Sequence, residues 1–132
     1  MTILGFEHVL LAMPRGAEDR ARAFYTGVLG LPEIPKPNAR ERGGVWFRAG
    51  TSSLHLGSNT EFAPATYTHP ALLVDDLSVY IERVTAAGGT VEPQKPFSGF
   101  IRIHTFDPFG NRVELMQQTM DQTSDHSTAR QP

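Results

Sequence analysis

Four residues of metal-ligating type sit at matched places in the two halves of this 132-residue chain. His8 opens one half in Phe6-Glu7-His8-Val9-Leu10-Leu11, and His55 closes it in Leu54-His55-Leu56. His69 opens the other in Thr68-His69-Pro70-Ala71-Leu72-Leu73-Val74, and Glu114 closes it in Val113-Glu114-Leu115. The opening residues lie 61 apart and the closing ones 59, so a single shift superposes both pairs. A pseudo-twofold fold built from such halves brings the four side chains together. Imidazole nitrogens with one carboxylate suit borderline divalent ions: iron(II), manganese, nickel, cobalt or zinc. Two histidines and a carboxylate also leave coordination positions open, which a catalytic metal needs. Each residue taken singly could be an ordinary hydrogen-bonded or solvated strand residue. With only five histidines in the chain, their matched placement is what points to a site.

The elements that must position them repeat in the same order. Residues 3–13 read as a strand ended by Pro14 and Gly16, and Ala17, Ala21, Phe24 and Val28 recur at helical spacing. Residues 33–43, rich in proline and charge, read as a loop. Strands are expected at 45–48 and 53–58, joined by Ala49-Gly50-Thr51. In the second half, 67–74 is a strand and Asp75-Asp76 supplies the N-cap of a helix. Leu77, Tyr80, Ile81 and Val84 form the stripe of that helix, and Gly88-Gly89 its C-cap. Val91 starts a further strand and 93–99 reads as a loop over a pocket. Residues 101–106 and 112–118 are strands around Asp107-Pro108-Phe109-Gly110-Asn111, a strong turn signal. Each half is therefore a β-α-β-β-β unit, with modules at about 3–60 and 65–118 forming a single domain over 1–118. Residues 119–132, which include His126, read as a polar tail.

Strand alternation assigns the faces. In Leu54-His55-Leu56 and Val113-Glu114-Leu115 the apolar flanks pack under a helix, which turns His55 and Glu114 to the opposite, concave face. Arg102, His104 and Phe106 share a face of the strand before the turn. If that face lines the cavity, Arg102 can bind a substrate carboxylate or enolate and His104 can relay a proton. Trp46, Phe62, Phe97 and Phe100 are candidate apolar walls, with Trp46 and Phe100 the expected substrate contacts.

Bulk properties narrow the classes. The net charge of −2 gives no electrostatic reason for nucleic acid or an anionic membrane as partner. No apolar run reaches the roughly 18 residues of a membrane span. With no cysteine, thiolate sites and disulfides are excluded, so any metal sits on nitrogen and oxygen. A single globular domain in the cytoplasm, acting on a small molecule, is the expectation.

The chain resembles the vicinal oxygen chelate superfamily, which contains glyoxalase I, extradiol dioxygenases, methylmalonyl-CoA epimerase and the fosfomycin and bleomycin resistance proteins. The likeness rests on Glu7-His8-Val9, on Phe24-Tyr25 followed by Val28-Leu29-Gly30-Leu31, and above all on the run from Asp107 to Leu115. It implies an α+β fold of two pseudo-symmetric βαβββ modules whose curled mixed sheets enclose a metal-binding cavity. It places the ligands of one divalent ion on first and last strands, here His8, His55, His69 and Glu114. Glyoxalase I has glutamate where this chain has His55. Extradiol dioxygenases match His8, His69 and Glu114, carry an acid–base histidine near the place of His55, and have tyrosine where His104 stands. His55 is thus either a fourth ligand or an acid–base group. His55, His104 and Glu114 are the expected catalytic residues, with Arg102, Trp46 and Phe100 on the substrate.

The activity this implies is metal-dependent chemistry on a substrate that chelates through neighbouring oxygens, either a lyase or isomerase reaction or a dioxygenase reaction. The alternatives are a metal-free binding protein of the bleomycin-resistance kind and a transferase of the fosfomycin-resistance kind. Many relatives pair modules between chains, which implies a homodimer that sets His8 of one copy opposite His69 and Glu114 of the other.

Overall fold

In the computed structural model the described residues are 1–119, and they form two separate four-stranded mixed sheets, one from each half. The first half runs β1 (His8–Met13), α1 (Glu18–Tyr25), β2 (Glu33–Ile34), α2 (Ala39–Arg42), β3 (Val45–Ala49) and β4 (Ser52–Ser58). The second runs β5 (Ala71–Leu73), α3 (Leu77–Ala86), β6 (Glu92–Phe97), β7 (Phe100–Phe106) and β8 (Arg112–Gln118). The strand orders are β1-β4-β3-β2 and β5-β8-β7-β6, the same arrangement in each.

The repeat holds in three dimensions. Strand β1 pairs parallel with β4, setting Leu10 opposite His55, and β5 pairs parallel with β8, setting Ala71 opposite Glu114. His8 and His69 each precede those partners by two residues. On the other side, β3 places Trp46 opposite His55 and β7 places His104 opposite Glu114. Trp46 and His104 are therefore positional counterparts.

The helices cover the sheets as their stripes require. Ala21, Phe24 and Tyr25 of α1 are buried, as are Leu77 and Val84 of α3. Beneath them lie Phe47, Leu54, Leu56, Ile103, Val113 and Leu115, which accounts for most of the apolar burial. Asp76 caps α3 by accepting from the backbone N–H of Ser78 at 3.1 Å. After α3, Gly88 takes φ +80°, and the N–H of Gly89 bonds back to the carbonyl of Val84, the glycine-terminated helix end the pattern called for.

A buried polar hub joins the halves. Tyr25 donates its hydroxyl to Asp107 Oδ2 at 2.7 Å, and Asn111 Nδ2 donates to Asp107 Oδ2 and to the carbonyl of Ala12 on β1, each at 2.8 Å. Asn111 Oδ1 accepts from the N–H of Ala65 between the modules. Asp107 Oδ1 accepts the N–H groups of Phe109 and Asn111, closing the turn whose Gly110 has φ +90°.

Several expected boundaries shift. The first strand begins at His8 rather than residue 3, because only the edge of residues 6–7 finds β4: the Glu7 carbonyl accepts from Ser53 N–H. The strand expected over 67–74 is reduced to Ala71–Leu73. Residues 33–43 are not a plain loop, since they hold β2 and α2. Likewise 93–99 carries most of β6, which pairs antiparallel with β7 through Gln94 and then shifts register to Phe97. Thr119, the last described residue, bonds the carbonyl of Gly99. Residues 120–132, with His126, lie outside the described residues. The two sheets do not close on each other within the chain, so the expected enclosed cavity is not formed by one copy alone. No described helix is long and apolar enough to cross a membrane.

Candidate metal centre

The four matched residues form two pairs, not one quartet, within a single chain. On the second sheet, His69 Nε2 lies 2.9 Å from Glu114 Oε1, and His104 Nε2 lies 3.1 Å from the same oxygen. Arg102 NH1 reaches Glu114 Oε2 at 3.3 Å. Among the described residues, the ligand atoms of His69, His104 and Glu114 lie within 4.8 Å of one another. Glu114 is buried while His69 remains open to solvent. Burial by itself raises the carboxyl of Glu114, but the hydrogen bonds from His69 and His104 and the charge of Arg102 outweigh it and hold it below the usual range. Arg102 is itself anchored, donating to the carbonyl of Lys95 and lying over the Phe97 ring at 4.7 Å.

On the first sheet, the His8, His55 and Trp46 rings form a stack. His55 lies 3.9 Å from Trp46 at 4° and 4.2 Å from His8 at 11°. Its Nε2 meets the hydroxyl of Ser53 at 3.0 Å. Burial first, and His8 next, push the imidazole of His55 below its ordinary value. Trp46 is thus half-buried against His55 and outside the buried core. Phe62 packs edge-on to Phe109 instead, and Phe100 opens β7 at half exposure.

The donor set fits a divalent ion. His8 Nδ1 is tied to Glu7 Oε1 at 2.6 Å and His69 Nδ1 to the carbonyl of Tyr67 at 2.8 Å. A histidine whose Nδ1–H is held by a carboxylate or a carbonyl presents Nε2 as its lone pair, the usual support of a metal-bound imidazole. Glu114 adds one carboxylate oxygen to that set. Residues 102, 104 and 112 all converge on this carboxylate or its neighbour His104. Of these, Arg112, whose NH1 lies 2.8 Å from His104 Nδ1, was not among the expected site residues. Only its position in the Asp107–Leu115 run could have marked it.

Beside the cluster, a trough of about 900 Å³ runs between β1 and β5. Of the cluster it includes His69 alone, and its walls carry Phe6, Leu10 and Leu73, which are 86%, 62% and 74% exposed. Tyr67 nearby is 86% exposed. Phe6, Leu10 and Leu73 thus gather exposed apolar surface along this one trough.

Residues 5–115 match the model described as Glyoxalase/Bleomycin resistance protein/Dioxygenase superfamily. No curated protein matches the chain. Among solved structures, a glyoxalase family protein from Bacillus anthracis is 38% identical with a TM-score of 0.85, covering 90% of this chain and 98% of its own. The fosfomycin resistance protein FosX from Listeria monocytogenes, complexed with Mn(II) and sulfate ion, is 19% identical with a TM-score of 0.73, covering 96% and 99%. Lactoylglutathione lyase from Agrobacterium tumefaciens is 23% identical with a TM-score of 0.68, covering 88% and 95%.

Proposed function

This chain belongs to the glyoxalase, bleomycin resistance protein and dioxygenase superfamily, and we propose that it is a divalent-metal enzyme acting on a small substrate with two neighbouring oxygens. The observation that carries this reading is the buried Glu114 facing the Nε2 of His69, with the Nδ1 of that ring already held by a carbonyl. That FosX was seen with Mn(II) supports a divalent ion in this fold. His69 and Glu114 hold the ion from one copy. His8, its Nδ1 fixed by Glu7, supplies the third ligand from a second copy, and the exposed Phe6, Leu10, Tyr67 and Leu73 are the surface on which the two copies meet.

A bound divalent ion supplies Lewis acidity toward the substrate oxygens. The other residues orient the substrate and move its proton. Arg102 offers a guanidinium to an anionic group, and Phe100 lies on the same strand at its open end. His55, stacked between Trp46 and His8, has its cation disfavoured by burial and by His8, which suits it to serve as the base. In this reading it stands beside the metal rather than on it, since Ser53 engages its Nε2. Trp46 walls the substrate side of that base. His104 lies against the carboxylate of Glu114, its Nε2 3.1 Å from Oε1.

Elemental mass spectrometry on protein prepared anaerobically, without chelator or affinity tag, tests the reading. We expect close to one divalent ion per chain, lost in both His69→Ala and Glu114→Ala. An iron-loaded protein that consumes oxygen with catechols identifies a dioxygenase. Oxygen-independent turnover with nickel, zinc or cobalt identifies a lyase or isomerase. Failure to take up any ion after reconstitution sinks the enzyme reading and leaves a metal-free binding protein.

A further inference from the structure

Three residues crowd the carboxylate end of the second sheet, and by distance alone His69, His104 and Glu114 would make a complete two-histidine, one-carboxylate triad in a single chain. The hydrogen bonds around the two rings argue otherwise. We propose that Arg112 fixes the tautomer of His104, so that His104 serves the metal centre as an N–H donor to Glu114 and not as a ligand. The inference rests on the metal-centre reading above and deepens it.

Arg112 is held from several directions. Its Nε donates to the carbonyl of Thr66 at 2.7 Å, its guanidinium lies over the Phe106 ring at 4.8 Å, and NH1 lies 3.5 Å from Glu92 Oε1. The same NH1 lies 2.8 Å from His104 Nδ1. A guanidinium carries five N–H donors and no lone pair, and it does not lose its proton in proteins. His104 Nδ1 can therefore only accept, which leaves the ring proton on Nε2. That Nε2–H points at Glu114 Oε1, 3.1 Å away. A ring nitrogen that bears a proton has no lone pair to give a metal ion.

His69 is wired in the opposite sense. Its Nδ1 meets the Tyr67 carbonyl, which can only accept, so Nδ1 keeps its proton; Nε2, which donates to Glu114 Oε1 here, is the nitrogen that ligation would use, a metal ion taking the place of that hydrogen bond. The two rings, with centroids 4.8 Å apart, thus use Nδ1 in opposite ways beside one carboxylate, as donor in His69 and as acceptor in His104. His104 is a positioning residue: it orients Glu114 while His69 and Glu114 bind. A consequence is that one copy offers two ligands of this cluster, which leaves room for His8 of a second copy. The repeat explains why the position was free to take this role. His104 is the counterpart of Trp46, which likewise lies against the closing residue of its own module without being a ligand type.

Long-range ¹⁵N–¹H correlation spectra of the histidine rings in metal-free protein read the tautomer directly, with His104 assigned by its loss in His104→Gln. We expect the Nε2–H form for His104, retained in Arg112→Lys, whose ammonium is also donor-only, and lost in Arg112→Met. In parallel, calorimetric titration with Mn(II) separates ligand from orienter. His104→Gln keeps an N–H donor and should bind at unchanged stoichiometry; His104→Ala should weaken binding by roughly 10–100-fold, the range for loss of a residue supporting a ligand. His69→Gln should abolish it. An Nδ1–H His104 in the metal-free wild type, or loss of Mn(II) binding in folded His104→Gln as complete as in His69→Gln, overturns the inference. A wild type that takes up no ion while His104 shows the Nε2–H form overturns the metal reading and upholds the role of Arg112.

Discussion

Replacing Asn111 by alanine tests whether the hub between the modules is a principal source of stability. Asn111 is fully buried, and its side chain donates to the Ala12 carbonyl and to Asp107 Oδ2 and accepts from Ala65 N–H. Two of these are neutral bonds worth about 1 kcal/mol each, and the one to the carboxylate is worth about 1.5–3 kcal/mol. Alanine also leaves the Ala65 N–H and one acceptor site of Asp107 short of a partner in a dry region. We therefore expect a loss of roughly 3–5 kcal/mol, a large share of the about 5–15 kcal/mol by which such domains are stable. Urea unfolding followed by the fluorescence of Trp46, the single tryptophan, reads this directly. The midpoint should fall while the slope with urea stays unchanged, since the surface exposed on unfolding is nearly the same. Asn111→Asp should be at least as damaging, because it sets a second carboxylate beside Asp107. A loss below about 1 kcal/mol in Asn111→Ala would refute the reasoning, since it would place the hub's bonds at the level of solvent-exposed ones.

Other perturbations address separate features. Burial, and then the nearby Asp107, push the Tyr25 hydroxyl well above its ordinary value, so the folded state keeps its proton where the unfolded chain loses it. Stability is then fully present below about pH 10 and falls as pH rises beyond it; Tyr25→Phe should lower the melting temperature at pH 7 and flatten that alkaline decline. Gly44→Ala should cost roughly 1–3 kcal/mol in the same urea assay, because φ is +89° and a Cβ would lie 2.8 Å from the Leu56 carbonyl oxygen. Leu10→Asp should shift the chain from dimer to monomer in sedimentation velocity without lowering its helical circular dichroism; a persistent dimer would remove the proposed interface. His55→Leu should leave the metal content of purified protein unchanged while suppressing turnover, whereas loss of the ion would make His55 a ligand.

Much of this was legible in the sequence because the two modules repeat side chains as well as elements. The shift of about sixty residues between His8/His55 and His69/Glu114 reappears as Leu10 opposite His55 and Ala71 opposite Glu114. Leu54-His55-Leu56 and Val113-Glu114-Leu115 told their faces correctly, since the alternation of side chains along a strand needs only neighbours. What stayed hidden depends on partners far away in sequence. Pro93 and Pro96 argued for a loop, yet among the described residues β6 is an edge strand bonded to β7 alone, where a missing N–H costs little. The apolar run of residues 3–6 looked like strand but has no strand to pair with among the described residues. The bonds of Tyr25 to Asp107, 82 residues on, and of Arg112 to His104 have no local signature; they exist only once the sheets are in register.

The separation of the ligand pairs onto two sheets has a genetic reading. If His8 faces His69 and Glu114 across copies, as proposed, two defective chains can repair each other. Neither His8→Ala nor His69→Ala alone leaves a whole centre in its own dimer. In a mixed dimer, the His8 of the second chain meets the His69 of the first, so one centre is whole and the other doubly broken. Random reassortment of equal amounts restores about a quarter of the wild-type centres. Two null alleles carried together would then restore activity where each alone has none, a form of complementation that a chain closing on itself cannot show.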